Sequence, residues 1–397
     1  MTATSRPEDP VQPNSLAWLD DELAALEQAG LRRRLPPPLS AQGPVIQAEG
    51  QRLVNFASND YLGLAADARL AEAAAAACRD SGVGRGASPL VCGRADLHAE
   101  LERQLANLEH AEAALLFPSG FAANSGTIPA LAGSGDAVFS DELNHASIVD
   151  GCRLSRADTH IYRHADAEHL DQLLGESKAR RKLVVTDAVF SIDGDAAPLA
   201  ELAEACRRHG AMLMVDEAHA TGVFGPEGAG LASTLTDPGT VDIRIGTLSK
   251  ALGSAGGFVA GSAKLIEWIA NRARSYVYST AHPAASAAAA LAALRIMSDE
   301  PHRRTRVLEQ AGRLRQMLQA DGWDTAPSTT QIIPVVVGDP TETVRLAAGL
   351  REAGFWVGAI RPPSVPEGRS LLRIGVTAAH SDAMLEGLAE ALRRLRA

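Results

Sequence analysis

Residues 243–257 read IRIGTLSKALGSAGG, and residues 211–222 read AMLMVDEAHATG. In each segment a short apolar run ends in a turn with reactive side chains: Lys250 in the first, Asp216 and His219 in the second. Similar apolar runs occur earlier, at residues 114–117, 137–139 and 182–185. Amphipathic helical segments follow most of these runs, and residues 199–209 are one such segment. Strands that alternate with helices predict an α/β fold whose mostly parallel sheet is covered on both faces.

The organisation of the chain changes along its length. We expect an N-terminal segment over residues 1–58, with a mobile lead-in to about residue 13, a helix over 19–29 and short strands. A large domain is predicted over 59–295. Residues 296–397 predict a smaller α+β domain that ends in an amphipathic helix.

Length, net charge and lysine count limit what the protein can be. The chain has 397 residues, of which 46% are hydrophobic, so it is long enough for two packed domains. Its net charge of −10 gives no electrostatic support to a nucleic-acid partner. The sequence holds only 4 lysines, so lysine chemistry has few candidates.

Cysteine use and hydropathy predict a cytoplasmic protein. The cysteines, Cys78, Cys92, Cys152 and Cys206, are scattered and predict free thiols. The first residues lack the apolar core of a signal peptide. The alanine-rich stretch 284–294 is too short to span a bilayer and predicts a packed helix, so no membrane partner is expected.

Lys250 is the strongest candidate for chemistry. It follows the apolar run 243–247 and is surrounded by glycines, which suggests a backbone kept bare for close approach. An amine that is desolvated in such a turn loses its proton easily and can form a Schiff base. The alternative for Lys250 is an ordinary surface lysine.

Asp216 and His219 are the second candidate pair. A carboxylate at the end of an apolar strand can hold a proton on a pyridine nitrogen, as an electron-accepting pyridoxal ring requires. His219 lies three residues on and would sit near the same ring edge. The alternative for Asp216 is a cap on the following turn.

Residues 119–124, SGFAAN, predict an anion site. They follow the run 114–117 and open a helix, whose bare amides suit a phosphate. The glycine-rich stretch 82–86 lacks the strand-then-helix context of a dinucleotide fingerprint, and the sequence has no GxxxxGK[ST] motif.

The remaining histidines are less specific. His145 follows a strand and turn and has a structural alternative. His160, His164 and His169, with Glu168, invite a metal interpretation, but they form no HExxH pair and have no cysteine nearby. We therefore expect no metal site.

Six motifs, taken in chain order, resemble those of the α-oxoamine synthases. They are SNDYLGL (58–64), FPSGFAAN (117–124), NHAS (144–147), VFSIDGD (189–195), VDEAHATG (215–222) and GTLSKALG (246–253). The resemblance covers nearly the whole chain. It implies the aspartate-aminotransferase fold (fold type I of pyridoxal-phosphate enzymes), bound pyridoxal 5'-phosphate and a homodimer with shared active sites. The implied reaction joins an amino acid to an acyl-CoA thioester with loss of carbon dioxide.

The same resemblance assigns roles by motif. Lys250 is implied as cofactor anchor and base, Asp216 as partner of the ring nitrogen, and His145 as a catalytic residue stacked on the ring. The other implied cofactor contacts are Gly120, Phe121, Ser191, His219, Thr247, Ser279 and Thr280, the last two from the neighbouring subunit. The implied substrate contacts are Arg32, Asn59, Arg361, Ser364 and Arg373, with Arg373 taking the amino acid's carboxylate.

Two further stretches indicate the substrate. Residues 30–36 (GLRRRLP) and 359–380 (AIRPPSVPEGRSLLRIGVTAAH) resemble the biotin-pathway member of the family, which joins L-alanine to a pimeloyl group on coenzyme A or a carrier protein. A sister synthase using glycine or serine is the alternative. A non-catalytic member is disfavoured, because the lysine and the acid are present. Arg85 and Cys92 stand where members more often have glycine and serine.

Overall fold

The computed structural model describes residues 14–396, so the predicted lead-in lies outside the described residues. The strands are β1 (Val45–Ala48), β2 (Gln51–Asn55), β3 (Ala113–Phe117), β4 (Ala137–Asp141), β5 (Asp158–Tyr162), β6 (Lys182–Asp187), β7 (Met212–Asp216), β8 (Ile243–Thr247), β9 (Gly257–Gly261), β10 (Ile332–Gly338), β11 (Phe355–Trp356), β12 (Gly358–Ile360) and β13 (Ser370–Gly375). The helices are α1 (Trp18–Gln28), α2 (Ala68–Ser81), α3 (Asp96–Leu108), α4 (Gly120–Leu131), α5 (Ala146–Ser155), α6 (Ala167–Glu176), α7 (Leu199–His209), α8 (Ala263–Arg272), α9 (Arg274–Val277), α10 (Ala284–Asp299), α11 (His302–Ala320), α12 (Pro340–Glu352) and α13 (Asp382–Arg396).

A seven-stranded sheet forms the centre of the molecule, in the order β3-β9-β8-β7-β6-β4-β5. Its neighbours pair in parallel, except that β9 is antiparallel to both β3 and β8. The central strands are buried on both faces, as the continuous apolar runs predicted. The predicted α/β class with a mostly parallel sheet is confirmed.

Two strands of this sheet were not predicted. β5 reads DTHIY and lies at the edge with most of its residues exposed or half-buried, so it carries no apolar run. β9 begins at Gly257, inside the glycine-rich stretch interpreted above as a turn. Both strands form by hydrogen bonding to neighbouring strands, and the residue pattern alone does not predict this pairing.

Two smaller sheets complete the fold. One has the order β1-β2-β11, and the other β10-β13-β12. Because β11 pairs in parallel with β2, the N-terminal hairpin and the C-terminal part share a sheet. The division at residues 58/59 and 295/296 stays a prediction; α10 continues past residue 295 to Asp299.

The parallel strands bring their carboxyl ends to one edge of the large sheet, where ligands bind in open α/β folds. Asp141, Asp187, Asp216 and Thr247 are the last residues of β4, β6, β7 and β8. Chemistry-bearing residues from distant parts of the sequence therefore meet at this edge.

The glycines around Lys250 serve the packing of the protein itself. A Cβ on Gly257 would come within 2.5 Å of the amide nitrogen of Gly120. A Cβ on Gly253, whose φ is +58°, would come within 2.6 Å of the backbone of Ala65. At these two positions the predicted close approach is therefore made by neighbouring backbone of the protein itself.

Among residues 14–396, no helix is both long and apolar enough to cross a membrane. The alanine-rich helix α10 packs into the interior with many of its alanines buried, as predicted.

Candidate active site

Lys250 lies in the turn that follows β8, at the carboxyl edge of the sheet. Burial lowers the pKa of its amine to about 8, and the nearby carboxylates of Asp216 and Asp187 oppose this shift. A lysine with this pKa reaches its neutral, nucleophilic form near physiological pH. The structure therefore favours a reactive amine over an ordinary surface lysine.

Asp216 is buried at the end of β7 and is held from two sides. Its Oδ1 accepts a hydrogen bond from the backbone N–H of Ala218 at 2.8 Å, and its Oδ2 accepts one from the side chain of Asn124. Asn124 also donates to Oγ of Ser147 at 3.0 Å. That hydroxyl lies 2.7 Å from Nδ1 of His145, so a chain of polar contacts connects Asp216 with His145.

Asp187 was missed by the sequence analysis. It ends β6 and pairs across the sheet with Asp216. Its Oδ2 accepts a hydrogen bond from the backbone N–H of His145 at 2.7 Å. Burial, and after it the neighbouring Asp216, raises the pKa of Asp187 well above its usual value. The signal was available, because Asp187 follows an apolar run as Asp216 does.

His145 is the N-terminal cap of α5, and its Nδ1 accepts a hydrogen bond from the backbone N–H of Ser147 at 3.2 Å. Desolvation of the ring lowers the pKa of His145, while the carboxylate of Asp216 opposes the shift. The ring is therefore held in place, at the exposed rim of the site.

His219 and Arg373 lie near Lys250. Burial, followed by the charge of Lys250, lowers the pKa of His219 well below its usual value, so the ring is neutral at pH 7. Arg373 comes from β13 and donates from Nε to the backbone oxygen of Ser191 at 2.6 Å. Ser191, His219 and Arg373, which come from separate segments of the chain, thus lie close together.

The predicted anion site lies at the N-terminus of α4. Oγ of Ser119 caps the helix by accepting from the backbone N–H of Ala122 at 3.1 Å. Gly120 packs beside Thr247, since a Cβ on Gly120 would lie 3.5 Å from the Cβ of Thr247. Phe121 is exposed in the first turn. The first amides of the helix and the Thr247 hydroxyl therefore share one corner of the site.

The remaining predicted residues lie in two other groups. Ser279 and Thr280 line a small cleft that Pro118 also lines. Arg32 pairs with Glu27 at 3.4 Å, whereas the neighbouring Arg33, which the sequence analysis did not select, donates to Oγ of Ser364 at 3.2 Å.

Arg361 donates to the backbone oxygen of Gly30, so the segments 30–36 and 361–364 meet as a pair. A cleft of about 660 Å³ connects this region with the sheet edge. It is lined by Ser364, by Asn144 beside His145, and by Ile192 beside Ser191. Its apolar lining is formed by Leu143, Val149, Phe190, Pro362 and Val365, among others.

His164, considered above for a metal, instead bridges two carboxylates. Its Nδ1 lies 3.0 Å from Oδ1 of Asp141, and its Nε2 lies 2.7 Å from Oδ2 of Asp195. Burial opposes the charge of the ring, but these carboxylates outweigh it and raise the pKa of His164 to about 10. Within the described part of the chain, no group of three or more acidic, histidine or cysteine side chains could hold a metal ion.

Replacing His164 with glutamine should lower the free energy of unfolding by about 2–4 kcal/mol at pH 6.5. A pKa raised from 6.5 to about 10 stabilises the fold fully below pH 6.5, and this contribution is lost as the pH rises through 10. Urea unfolding at pH 6.5, 8 and 10 would therefore show the gap between wild type and His164→Gln narrowing. His160→Gln, at a ring that stacks on Phe139, is the control. A gap that stays constant or widens with pH would contradict this assignment.

Comparison with known proteins places the whole chain in one family. A profile of the family "Aminotransferase class I and II" matches residues 51–392. The 8-amino-7-oxononanoate synthase of Anaeromyxobacter sp. (strain K) is 55% identical over 378 residues, which are 95% of this chain and 95% of the relative. The protein of that name from Symbiobacterium thermophilum is 46% identical over 94% of this chain and 95% of its own length.

Solved structures agree with these relatives. Serine palmitoyltransferase from Sphingomonas wittichii superposes with a TM-score of 0.89 at 32% identity, covering 96% of this chain and 98% of its own. A variant of that enzyme from S. paucimobilis, solved with a compound of pyridoxal phosphate and myriocin, has a TM-score of 0.89 at 30% identity and covers 96% and 97%. The chain therefore belongs to the class I and II aminotransferase family and, within it, to the group whose relatives are named 8-amino-7-oxononanoate synthases.

Proposed function

We propose that this protein is a pyridoxal-phosphate-dependent acyltransferase that condenses L-alanine with a pimeloyl thioester. The products are 8-amino-7-oxononanoate, carbon dioxide and the free thiol of coenzyme A, in biotin biosynthesis. The observation that carries the proposal is the Lys250 amine, with a pKa of about 8, beside Asp216 at the sheet edge. It occurs in a chain 55% identical to relatives named for that product.

The residues at the sheet edge fit pyridoxal phosphate. Lys250 offers a readily deprotonated amine for the aldehyde, and the buried carboxylate of Asp216 offers a partner for a protonated ring nitrogen. The bare first turn of α4 beside Thr247 suits the phosphate. Gly120, Phe121, Ser191, His219 and Thr247 are the remaining contacts that we propose within this subunit.

When bound, the cofactor supplies an aldehyde that takes the amino acid's nitrogen and a ring that accepts electrons from the α-carbon. The Lys250 amine would take the α-proton, for which a pKa of about 8 suits it near neutral pH. Asp216 keeps the ring nitrogen protonated, because the negative charge of its carboxylate is held by Asn124 and Ala218.

The side chains around Lys250 position the second substrate and the carboxylate. Arg373, fixed through Nε to Ser191, would direct its remaining guanidinium N–H groups to the carboxylate of alanine, and Asn59 is the second contact that we propose for this substrate. His145 polarises the thioester carbonyl. A bond would then form between the α-carbon of alanine and the acyl carbon, the carbon–sulfur bond would break, and the thiolate would take a proton from water. The former alanine carboxylate would leave as carbon dioxide, and the Lys250 ammonium would return its proton to the α-carbon, which keeps the electron pair of the broken bond.

We assign the 660 Å³ cleft to the acyl substrate. Its apolar lining suits the methylene chain of a pimeloyl group, and it runs from the Ser364 loop to the neighbours of His145 and Ser191. Arg361 and Arg32, with Arg33 beside them, provide positive charge near its outer end for the anionic carrier.

We also propose a homodimer with shared sites. The loop 87–93 and the segment after α9 are joined by a hydrogen bond from the backbone N–H of Ala281 to the oxygen of Ala87 at 3.0 Å. Large apolar side chains are exposed on and near these two segments: Val83, Leu90, Val91 and Tyr278. Such a patch is typical of a protein interface, and it would bring Ser279 and Thr280 to the partner's phosphate.

Visible absorption of the purified protein, loaded with pyridoxal phosphate, tests the proposal. We expect a yellow protein whose absorption band is perturbed more strongly by L-alanine than by glycine or L-serine. Adding pimeloyl-CoA to the alanine-loaded protein should release free thiol, which a thiol reagent measures.

The alternative is a sister synthase that uses glycine or serine, the class to which the superposed serine palmitoyltransferases belong. A stronger response to serine or glycine, without thiol release from pimeloyl-CoA, would move the assignment to that class. A protein that stays colourless after incubation with pyridoxal phosphate would overturn both candidates.

A further inference from the structure

The side chain of Tyr61 contacts several residues of the candidate active site. Its side chain is fully buried, and its hydroxyl lies 2.6 Å from Nδ1 of His219 and 3.2 Å from Oδ1 of Asn59. Burial raises the pKa of Tyr61, and the nearby positive charge of Arg373 is the largest influence that opposes the shift, followed by polar contacts with the side chains of Arg373 and Gln331. The Tyr61 hydroxyl therefore lies beside both Arg373 and His219.

The direction of these hydrogen bonds follows from the groups involved. A guanidinium has only donors, so the tyrosine oxygen accepts from Arg373. The single proton of Tyr61 is left for either Nδ1 of His219 or Oδ1 of Asn59. The imidazole nitrogen is nearer by 0.6 Å, the difference between 3.2 and 2.6 Å, and is the more basic acceptor. On this comparison the proton of Tyr61 is assigned to Nδ1 of His219. The opposite arrangement, in which Nδ1–H donates to the Tyr61 oxygen and Tyr61 donates to Oδ1 of Asn59, is the outcome that the experiment below must exclude.

This direction determines where His219 carries its own proton. The ring is buried and neutral at pH 7, so it has one N–H. Because Nδ1 accepts from Tyr61, the proton lies on Nε2, and the ring presents a donor on that side. Gln331 donates to the backbone oxygen of His219 at 2.8 Å and so holds the residue in place.

We propose that Tyr61 is a positioning residue that holds His219 as the Nε2–H tautomer and couples that tautomer to Arg373. The proposal rests on the proposed function, in which His219 donates to the oxygen substituent of the cofactor ring and Arg373 binds the carboxylate of alanine. A carboxylate that binds Arg373 would then change the hydrogen bonding of His219 through the Tyr61 hydroxyl. Nothing in the sequence suggests this link, since Tyr61 and His219 are 158 residues apart.

The test compares Tyr61→Phe with Tyr162→Phe, because both tyrosines are fully buried and Tyr162 lies on the edge strand β5. Histidine is labelled with ¹⁵N in the cofactor-free protein, and the His219 signal is assigned by its loss in His219→Gln. We expect wild type and Tyr162→Phe to show one N–H, at Nε2. Tyr61→Phe should show a mixture of tautomers or a shift to Nδ1–H.

A second measurement probes the coupling to Arg373. Titration of the cofactor-loaded protein with L-alanine, followed by absorption, should give a Kd about tenfold higher for Tyr61→Phe and an unchanged Kd for Tyr162→Phe. Thermal unfolding of both variants controls for folding.

An Nδ1–H or doubly protonated His219 in the wild type would overturn the proposal even if no variant folds. The same holds if Tyr61→Phe leaves the His219 signal unchanged, or if both variants bind alanine equally well. Failure of the proposed function is distinguishable, because it appears as a colourless protein, whereas the histidine spectrum is read without cofactor.

Discussion

Replacing Lys250 with alanine is expected to lower kcat for the condensation of L-alanine with pimeloyl-CoA by at least about 10⁴-fold. The variant loses both the amine that anchors the cofactor and the base that removes the α-proton, and a methyl group replaces neither. Thiol release from pimeloyl-CoA measures the rate. The uptake of pyridoxal phosphate by the wild type should also accelerate as the pH rises through about 8, since only the deprotonated amine attacks the aldehyde.

Lys182→Ala is the matched control for this experiment. Lys182 is half-buried at the start of β6 and donates from Nζ to the backbone oxygen of Leu174 at 2.8 Å. Its loss removes a lysine and a hydrogen bond without touching the candidate site, so turnover should persist. Normal turnover by Lys250→Ala without added amine would remove the basis of the proposed function.

Replacing Asp216 with asparagine is expected to lower kcat by roughly 10²–10³-fold, with a smaller effect on the binding of pyridoxal phosphate. The amide has nearly the shape of the carboxylate but no charge, so the proton on the ring nitrogen loses its counter-charge. The electron-accepting capacity of the ring then falls. Absorption and thiol release together separate cofactor loading from turnover.

Asp136→Asn provides the control for a buried aspartate of the same sheet. Asp136 directly precedes β4 at the opposite, amino end, where its carboxylate pairs with Arg180 and Arg181. This variant should lose stability but retain kcat once folded. If Asp216→Asn retained wild-type kcat, or lost no more than Asp136→Asn, the assignment of Asp216 to the ring nitrogen would be wrong.

The local residue pattern was sufficient to predict those helices and strands that form from the properties of their own residues. The structure has the strand 243–247 and the helix 199–209 with the predicted bounds. The strand reads IRIGT and is buried throughout, and the helix has one apolar face and ends before Gly210, whose φ is +60°. Elements that need a partner to form, such as the edge strand β5, gave no comparable signal.

The candidate site divides in the same way. Lys250, Asp216 and His219 could be selected from the sequence because each follows a buried strand, and the carboxyl ends of parallel strands share one edge. Asp187, which also ends a buried strand, could have been selected in that way but was missed. Asn124 and Tyr61 could not be given roles from the sequence. Their importance depends on contacts with residues far along the chain, such as the 92 residues that separate Asn124 from Asp216.

By itself, then, the sequence determined the strand–helix alternation, the edge of the sheet proposed as the active site and the lysine proposed to react there, because hydrophobic period and strand ends are local properties. Only the tertiary structure determined the protonation states of the Lys250 amine and the His219 ring. Burial brings the pKa of Lys250 to about 8 and makes His219 neutral. Desolvation and hydrogen-bond direction depend on which distant segments pack together, and the order of residues does not state this.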